Sequence, residues 1–333
     1  MQPVEFRILG PLEVYAGADK LLVGGNRGRS ILAALLLEAN RVVSIQQLIA
    51  AAWGDEFPAG VRTQVQNRVS DLRKLFRSRA GGVDPIGTRG SGYMVNVGEG
   101  QLDLHEFEHD LRRAAVLEEQ GRRVEAIRAL DAAMAWWRGP TLDGMSTPVL
   151  EVAAIRIEER RLGALEWRAR LRLELGQHAE VVSELVGLAA AHPYREGIQS
   201  LLMLALYRAG RRAEALEAFR RASGLFREQL GVDAGAELQR LHEGMLRGDT
   251  SLDQMPQTAY LTAARHGPCE ENGSQQAAPV DVGGNMSEAT HHELARLRRE
   301  NVALTVERDL LKGYLDLWVR ETTRSSDSRV TDP

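Results

Sequence analysis

Ala59-Gly-Val-Arg-Thr-Gln-Val-Gln-Asn-Arg-Val-Ser-Asp-Leu-Arg-Lys-Leu-Phe-Arg77, followed by Ile86-Gly-Thr-Arg-Gly-Ser-Gly-Tyr-Met-Val-Asn-Val97, decides the fold. In the first run Val65, Val69, Leu72 and Phe76 recur at i, i+4, i+7 and i+11. At 100° per residue they fall on one narrow stripe that must face a core. The same geometry puts Thr63, Gln66, Asn67, Ser70, Lys74 and Arg77 on the opposite side. Short hydrogen-bonding side chains along a helix, with cations toward its C-terminal end, suit base edges and phosphates. In the second run two short alternating segments flank Thr-Arg-Gly-Ser-Gly, whose glycines allow a tight turn with Arg89 at its tip. A helix followed by a basic hairpin reads as the recognition half of a winged helix-turn-helix.

Charge is concentrated on this stretch. Between 59 and 89 there are seven cations (Arg62, Arg68, Arg73, Lys74, Arg77, Arg79, Arg89) and two acids (Asp71, Asp84), a local balance of +5 in a chain whose total is −4. Residues 1–100 carry +3 and the remainder −7. A basic front and an acidic back point to nucleic acid as the partner of the front.

At 333 residues the chain is long enough for two or three domains. The single cysteine, Cys269, excludes an internal disulfide and a Cys-rich metal site. No charged leader with an apolar core opens the sequence, and no run approaches eighteen uninterrupted apolar residues. The expectation is a cytoplasmic, nucleoid-associated protein without a membrane segment.

Upstream, 4–9, 12–15 and 21–23 are short apolar runs separated by Gly-Pro and Ala-Gly-Ala-Asp-Lys, the pattern of a three- or four-stranded antiparallel sheet. Gly24-Gly-Asn-Arg-Gly-Arg-Ser30 precedes a helix expected over 31–38. It is no phosphate loop, because the glycine spacing is short and Arg29 stands where that loop has lysine. Ser44 suits the N-cap of a helix running to Trp53, and 54–58 separate it from the recognition helix. That connection is long for a helix-turn-helix. Its Asp55, Glu56 and Phe57 form a candidate docking knob, while Trp53 is expected to fold back onto the core.

These residues carry a resemblance. The sheet, Gly-Gly-Asn-Arg-Gly-Arg, Ala51-Ala-Trp-Gly-Asp55, Val69-Ser-Asp-Leu-Arg-Lys74 and Thr88-Arg-Gly-Ser-Gly-Tyr93 are similar to the Streptomyces antibiotic regulatory protein (SARP) family. So are Leu102-Asp-Leu-His-Glu-Phe107, Trp137-Arg-Gly-Pro140 and Leu201-Leu-Met-Leu-Ala-Leu-Tyr-Arg-Ala-Gly-Arg211. The resemblance covers about residues 4–250. It implies a transcription activator that binds direct repeats in promoter DNA, recruits RNA polymerase holoenzyme, and carries a bacterial transcriptional activation domain behind its DNA-binding head. Under it, Asp55, Glu56 and Phe57 become candidate polymerase contacts.

Read from the residues alone, 104–248 is helical. Gly121-Arg-Arg-Val-Glu-Ala-Ile, Gly176-Gln-His-Ala-Glu-Val-Val and Gly210-Arg-Arg-Ala-Glu-Ala-Leu repeat one pattern, with the last two glycines 34 residues apart. That period indicates tetratricopeptide-like helix pairs. The first interval exceeds it by about twenty residues around Trp136, Trp137, Gly139 and Pro140, so a distortion is expected there, with both tryptophans in core and hinge packing. Residues 249–290 turn polar and small, as a disordered linker does.

The tail adds a heptad pattern, with Leu294, Asn301, Arg308 and Leu315 at a and Leu297, Leu304, Leu311 and Trp318 at d. Leu294, Leu297, Asn301, Leu304, Leu311 and Leu315 are the candidate residues of a parallel homodimer, Asn301 favouring two strands in register. Arg308 and Gly313 oppose the coil, and docking of a lone amphipathic helix remains the alternative. Residues 296–312 are also similar to the zipper of insertion-element transposase accessory proteins.

The expected fold is mainly α with a small β component: a winged helix-turn-helix (1–100), a tetratricopeptide-like helical domain (101–248), a linker (249–290) and a coiled-coil helix (291–324). The candidate DNA-binding residues are Arg62, Thr63, Gln66, Asn67, Ser70, Lys74, Arg77 and Arg89. No catalytic constellation is present, and His291-His292-Glu293 lacks the His-Glu-x-x-His spacing of a zinc hydrolase, so neither enzyme activity nor a cofactor is expected. The function expected is promoter-specific activation, in a biosynthetic gene cluster by the resemblance. A protein-interaction scaffold or transposition accessory factor is the alternative.

Overall fold

The computed structural model describes residues 4–54, 57–79, 82 and 84–253. The expected coiled coil, and the linker beyond Asp253, lie outside the described residues. The chain is mainly helical with two small sheets. Strands β1 (Val4–Arg7), β2 (Glu13–Ala16) and β3 (Asp19–Leu21) form an antiparallel meander. Alternation of buried and half-buried residues along β1 and β2 leaves Val4, Phe6, Val14 and Ala16 facing inward.

Helix α1 (Asn26–Leu37) begins inside the glycine-rich run, five residues before the expected start at Ile31. Gly25, at φ 69°, occupies the N-cap position, and burial of Gly28, Ile31, Leu32 and Leu35 offsets the poor helix propensity of glycine. Strand β4 (Val43–Ser44) leads directly into α2 (Ile45–Trp53), and Ser44 forms the expected cap as a reciprocal capping box with Gln47. Helix α3 (Val61–Arg79) buries Val61, Val65, Val69, Leu72 and Phe76, as its stripe requires. Phe76 meets Phe6 edge-on, with ring centroids 5.9 Å apart, which pins α3 to β1. Strands β5 (Ile86–Arg89) and β6 (Gly92–Val95) form the wing, and β4 adds to β6 to give the order β4-β6-β5.

The core does not stop at residue 100. It runs from Phe6, Leu35, Val69 and Val95 through Leu102 and Phe107 of the following segment to Leu142, Leu150 and Ile157. A buried carboxylate makes the join. Asp103 opens α4 (Asp103–Glu119) and accepts the backbone N–H groups of Ile8 and Leu9 at 2.8–2.9 Å, that of Leu104 at 2.9 Å, and Nη2 of Arg138 at 3.1 Å. Phe6 N–H donates to Gln101 C=O at 2.7 Å beside it. Burial pushes the Asp103 carboxyl up from the ordinary carboxylate range, against the lowering pull of the Ile8 and Leu9 amides and of Arg138.

Helix α5 (Arg123–Ala135) pairs with α4, and the extra residues after it cross back to the head. Arg138 N–H donates to Leu9 C=O, Leu142 N–H to Ile8 C=O and Asp143 N–H to Gly10 C=O, at 2.8, 3.1 and 3.3 Å. Trp137 packs edge-on against Phe107 and lies under Arg161. Trp136 departs from its expected burial: it is partly exposed, with Nε1 donating to Asp110 at 3.1 Å.

Helix α6 (Pro148–Glu174) then spans about 40 Å. Leu150 and Ile157 belong to the head core, Ala164 and Leu171 to the α4–α5 cluster, and Ala169 and Leu173 to the last helical cluster. The last cluster is built by α7 (His178–Ala191), α8 (Glu196–Arg208), α9 (Arg212–Leu225) and α10 (Ala236–Arg247). Gly121, Gly176 and Gly210, all at positive φ, close helices as the repeat pattern predicts. The five residues 249–253 assigned to the linker begin instead with a short 3-10 turn, Thr250–Asp253, whose Leu252 carbonyl accepts from Arg208 Nε at 2.8 Å.

Every group that faces Asp103 donates, so an acceptor-only side chain is required. Asp103→Asn is expected to lower the unfolding free energy by on the order of 3 kcal/mol, read from the urea midpoint, because its amide must point at a buried donor. The raised pKa means that Asp103's own contribution falls as pH rises through its folded-state value, and this component disappears in the variant.

Candidate nucleic-acid interface

The candidate surface is assembled from α3, the wing and the start of α1. On α3, Arg62, Thr63, Gln66, Asn67, Ser70, Lys74 and Arg77 are all exposed; Arg62 flanks the buried stripe and the others form the face away from it. The first turn of α3 holds no acid and its last turn holds Arg77 and Arg79, matching the negative end of the helix dipole. Arg77 is shared with Asp84, Nη2 to carboxylate 2.7 Å, so part of its charge is already answered.

The wing is locked to the helix. Arg73 donates from Nε to Ile86 C=O at 3.0 Å and from Nη2 to Thr88 Oγ1 at 2.9 Å, and its guanidinium lies 5.6 Å from the Tyr93 ring centroid. Asp84 sits 3.7 Å from Arg73 as well, so one carboxylate joins two turns of α3 to the entry of β5. On the other side Val43 and Ser44 pair with Tyr93 and Gly92. Gly92 must remain glycine, because a Cβ there would collide with the Val43 carbonyl oxygen. Gly90, at φ 54°, and Ser91 form the two-residue turn, and Arg89 stands exposed at the last position of β5 beside it, one residue short of the tip.

Sequence reasoning missed one side chain here and left the role of another open. Arg73 lies at the margin between the stripe and the polar face, where position alone does not distinguish a solvent cation from a wing anchor. Arg27, in the first turn of α1, stacks 4.9 Å from the Trp53 ring centroid and reaches Gln64 at 3.5 Å, bringing a second helix start beside α3. The place of Arg27 in a glycine-rich run at a helix start makes it, with Arg29, a candidate phosphate contact by sequence, with solvated surface as the alternative. Trp53 packs against the core as expected, whereas Phe57 is 53% exposed. Asp55 and Glu56 lie outside the described residues.

Among the described residues no helix is long and apolar enough to cross a membrane, and no group of three or more His, Cys, Asp or Glu could hold a metal ion.

Comparison with known proteins agrees with this architecture. The profile of the transcriptional regulatory protein C-terminal family matches residues 20–95, and that of the bacterial transcriptional activator domain matches residues 102–246. Regulatory protein DnrI of Streptomyces peucetius is 33% identical over 267 residues, covering 75% of this chain and 95% of DnrI. Regulatory protein AfsR of Streptomyces griseus is 36% identical over 249 residues, 75% of this chain but 25% of AfsR, so the chain spans about a quarter of that relative. The solved structure of Mycobacterium tuberculosis EmbR in complex with a low affinity phosphopeptide aligns with TM-score 0.71 and 32% identity, over 74% of this chain and 66% of that one. A winged helix of the regulatory C-terminal type joined to a bacterial transcriptional activator domain, with a relative matched over nearly its whole length, makes this chain a member of the Streptomyces antibiotic regulatory protein family of transcriptional activators.

Proposed function

We propose that the chain binds promoter DNA with α3 in the major groove and the β5–β6 wing on flanking phosphates, and there recruits RNA polymerase to a biosynthetic gene cluster. The observation that carries this reading is the uninterrupted exposed row Thr63, Gln66, Asn67, Ser70 and Lys74 on a helix whose other side is buried. Nothing in the packing requires those residues, so their chemistry is free for base edges. In this reading Gln66, Asn67, Thr63 and Ser70 read bases, while Arg62, Lys74, Arg77 and Arg89 neutralise phosphates. Asp55, Glu56 and Phe57 meet the polymerase, supported by the exposure of Phe57 beside α3.

The division into 1–100, 101–248, 249–290 and 291–324 belongs to the same proposal, with the head and helical domain sharing one core. Leu294, Leu297, Asn301, Leu304, Leu311 and Leu315 would hold two copies together through a tether of about forty residues. Such a tether reaches on the order of 35 Å r.m.s.. Direct repeats one helical turn apart, about 34 Å, are then accessible to both heads of a symmetric dimer.

Alanine at Gln66, Asn67 or Ser70 is expected to cost roughly 1–3 kcal/mol per specific contact at the promoter site and to leave binding to random DNA nearly unchanged. Replacing Lys74 or Arg89 is expected to weaken both alike and to flatten the log K against log salt slope by about one. Arg68, which pairs with Asp71 at 3.5 Å on the far flank of α3, serves as the control. Equal losses on specific and random DNA for the first set would remove the base-reading assignment.

Phe57→Ala is expected to reduce transcription in a reconstituted assay while DNA affinity, measured on the same promoter fragment, stays within twofold. A parallel loss of both would make the loop structural support only.

Truncation after Asp253 is expected to lower affinity for a paired site while affinity for an isolated half-site barely changes, because tethering otherwise supplies an effective concentration of the order of mM. Sedimentation of the full chain as a monomer at micromolar concentration would remove the tail from the mechanism.

A further inference from the structure

On the helical domain, well apart in sequence from α3, a shallow, open groove of about 300 Å³ lies along the second half of α4 and the turn into α5. Its wall carries Arg112, Arg113, Arg122 and His109, and Val116 and Leu117 supply an apolar surface. No carboxylate lines it. Val116 is 51% exposed, and Val124, one helical turn start away, is equally so.

Most arginines of this domain are already matched by carboxylates. Arg168 and Arg172 share Asp131 and Glu184, Arg170 holds Glu118 and Glu174, and Arg195 holds Glu159 and Glu166. Two arginines of the groove, Arg112 and Arg113, are different. Arg113 has no ion pair among the described residues, and Arg112 reaches only Glu108 at 3.9 Å, a carboxylate that Arg160 approaches to 2.6 Å. Arg122, by contrast, is held bidentately by Glu125 and donates to Gln120, so its charge is already answered, while Arg128 and Arg113 lie close enough to act on Glu125 as well. The unmatched positive charge is therefore that of Arg113 and the weakly held Arg112, both exposed beside an aliphatic surface.

We propose that this groove is a docking site for an acidic segment of a partner protein, with an aliphatic side chain seated on Val116 and Leu117 and flanking carboxylates on Arg112 and Arg113. Charge complementarity argues for that occupant. Guanidinium forks take carboxylates bidentately, and an aliphatic anchor between them gives register that a purely electrostatic contact lacks. An apolar peptide would leave Arg113 unanswered, and a free inorganic anion would leave Val116 uncovered. The site is independent of the DNA-reading face and of the α2–α3 loop, so it supplies a third contact of the activator.

The test uses the full chain and a fluorescein-labelled, end-capped peptide Asp-Glu-Leu-Glu-Asp, with its Asn-Gln-Leu-Gln-Asn counterpart, followed by fluorescence anisotropy. The acidic peptide is expected to bind and the neutral one not to. Arg112→Ala and Arg113→Ala should each weaken binding about fivefold, with more than tenfold for the pair. Val116→Asp should weaken it comparably, and Arg220→Ala, on another face, should leave it unchanged. All four positions are exposed, and circular dichroism checks that each variant folds. Equal binding of the neutral peptide, or variants that bind like the wild type, would overturn the proposal. Loss of affinity for random DNA in the Arg112→Ala, Arg113→Ala pair, without any acidic-peptide binding, would overturn it too and reassign the cluster to a phosphate contact.

Discussion

The structure depends on one buried carboxylate accepting from three chain segments. Asp103 gathers the amides of Ile8 and Leu9 from the end of β1, its own helix N-terminus at Leu104, and the guanidinium of Arg138 from the crossing loop. Burial makes its charge costly, as the upward shift of its pKa indicates, and only a full set of donors makes that burial tolerable. Arg138 extends the cluster outward to Glu13, which Lys20 also holds, so the amino-terminal meander, α4 and the loop after α5 are tied at one point. A buried polar group of this kind specifies geometry more than it adds stability. An apolar core would hold the two halves together, but it would not fix how α4 leaves β1.

Helix α6 carries that geometry along the molecule. Its start is held against α2, where Thr147 Oγ1 donates to Ala51 C=O at 2.8 Å, and its far end packs in the last helical cluster. Arginines on it pair with acids from α4, α5 and α7 on the way. One continuous helix shared by three clusters leaves little freedom between the winged-helix head and the helical domain. Any surface of the helical domain is thereby presented at a defined orientation to the winged-helix head.

At the recognition face the same economy appears on a smaller scale. Arg73 and Asp84 set the wing against α3, and Ser44 serves β6 through its backbone and α2 through its side chain. The side chains proposed to touch DNA are thus carried on elements whose own positions are fixed by different residues. Preorganisation of this kind keeps the ordering cost of binding low.

The sequence by itself determined much of this. The stripe Val65, Val69, Leu72 and Phe76 named the face of α3 that is buried, and so the face that is exposed, because helical periodicity leaves no choice. The Ser44 cap, the Gly90-Ser91 turn and the repeated helix-closing glycines were legible for the same reason: each is local chemistry acting over a few residues. Non-local relations were not. The start of α1 within a glycine-rich run was set by burial of Gly28 and its neighbours against propensity. The passage of the core across residue 100 was invisible, since Asp103 looks like any first-turn acid until Ile8 and Arg138 are brought to it from 95 and 35 residues away. Likewise Arg73 was one cation among seven, and only the packing of the wing against α3 made it an anchor. Periodicity and capping are written in neighbouring residues, whereas the partner of a buried charge is chosen by tertiary structure, because the desolvated group accepts whichever donors the fold delivers.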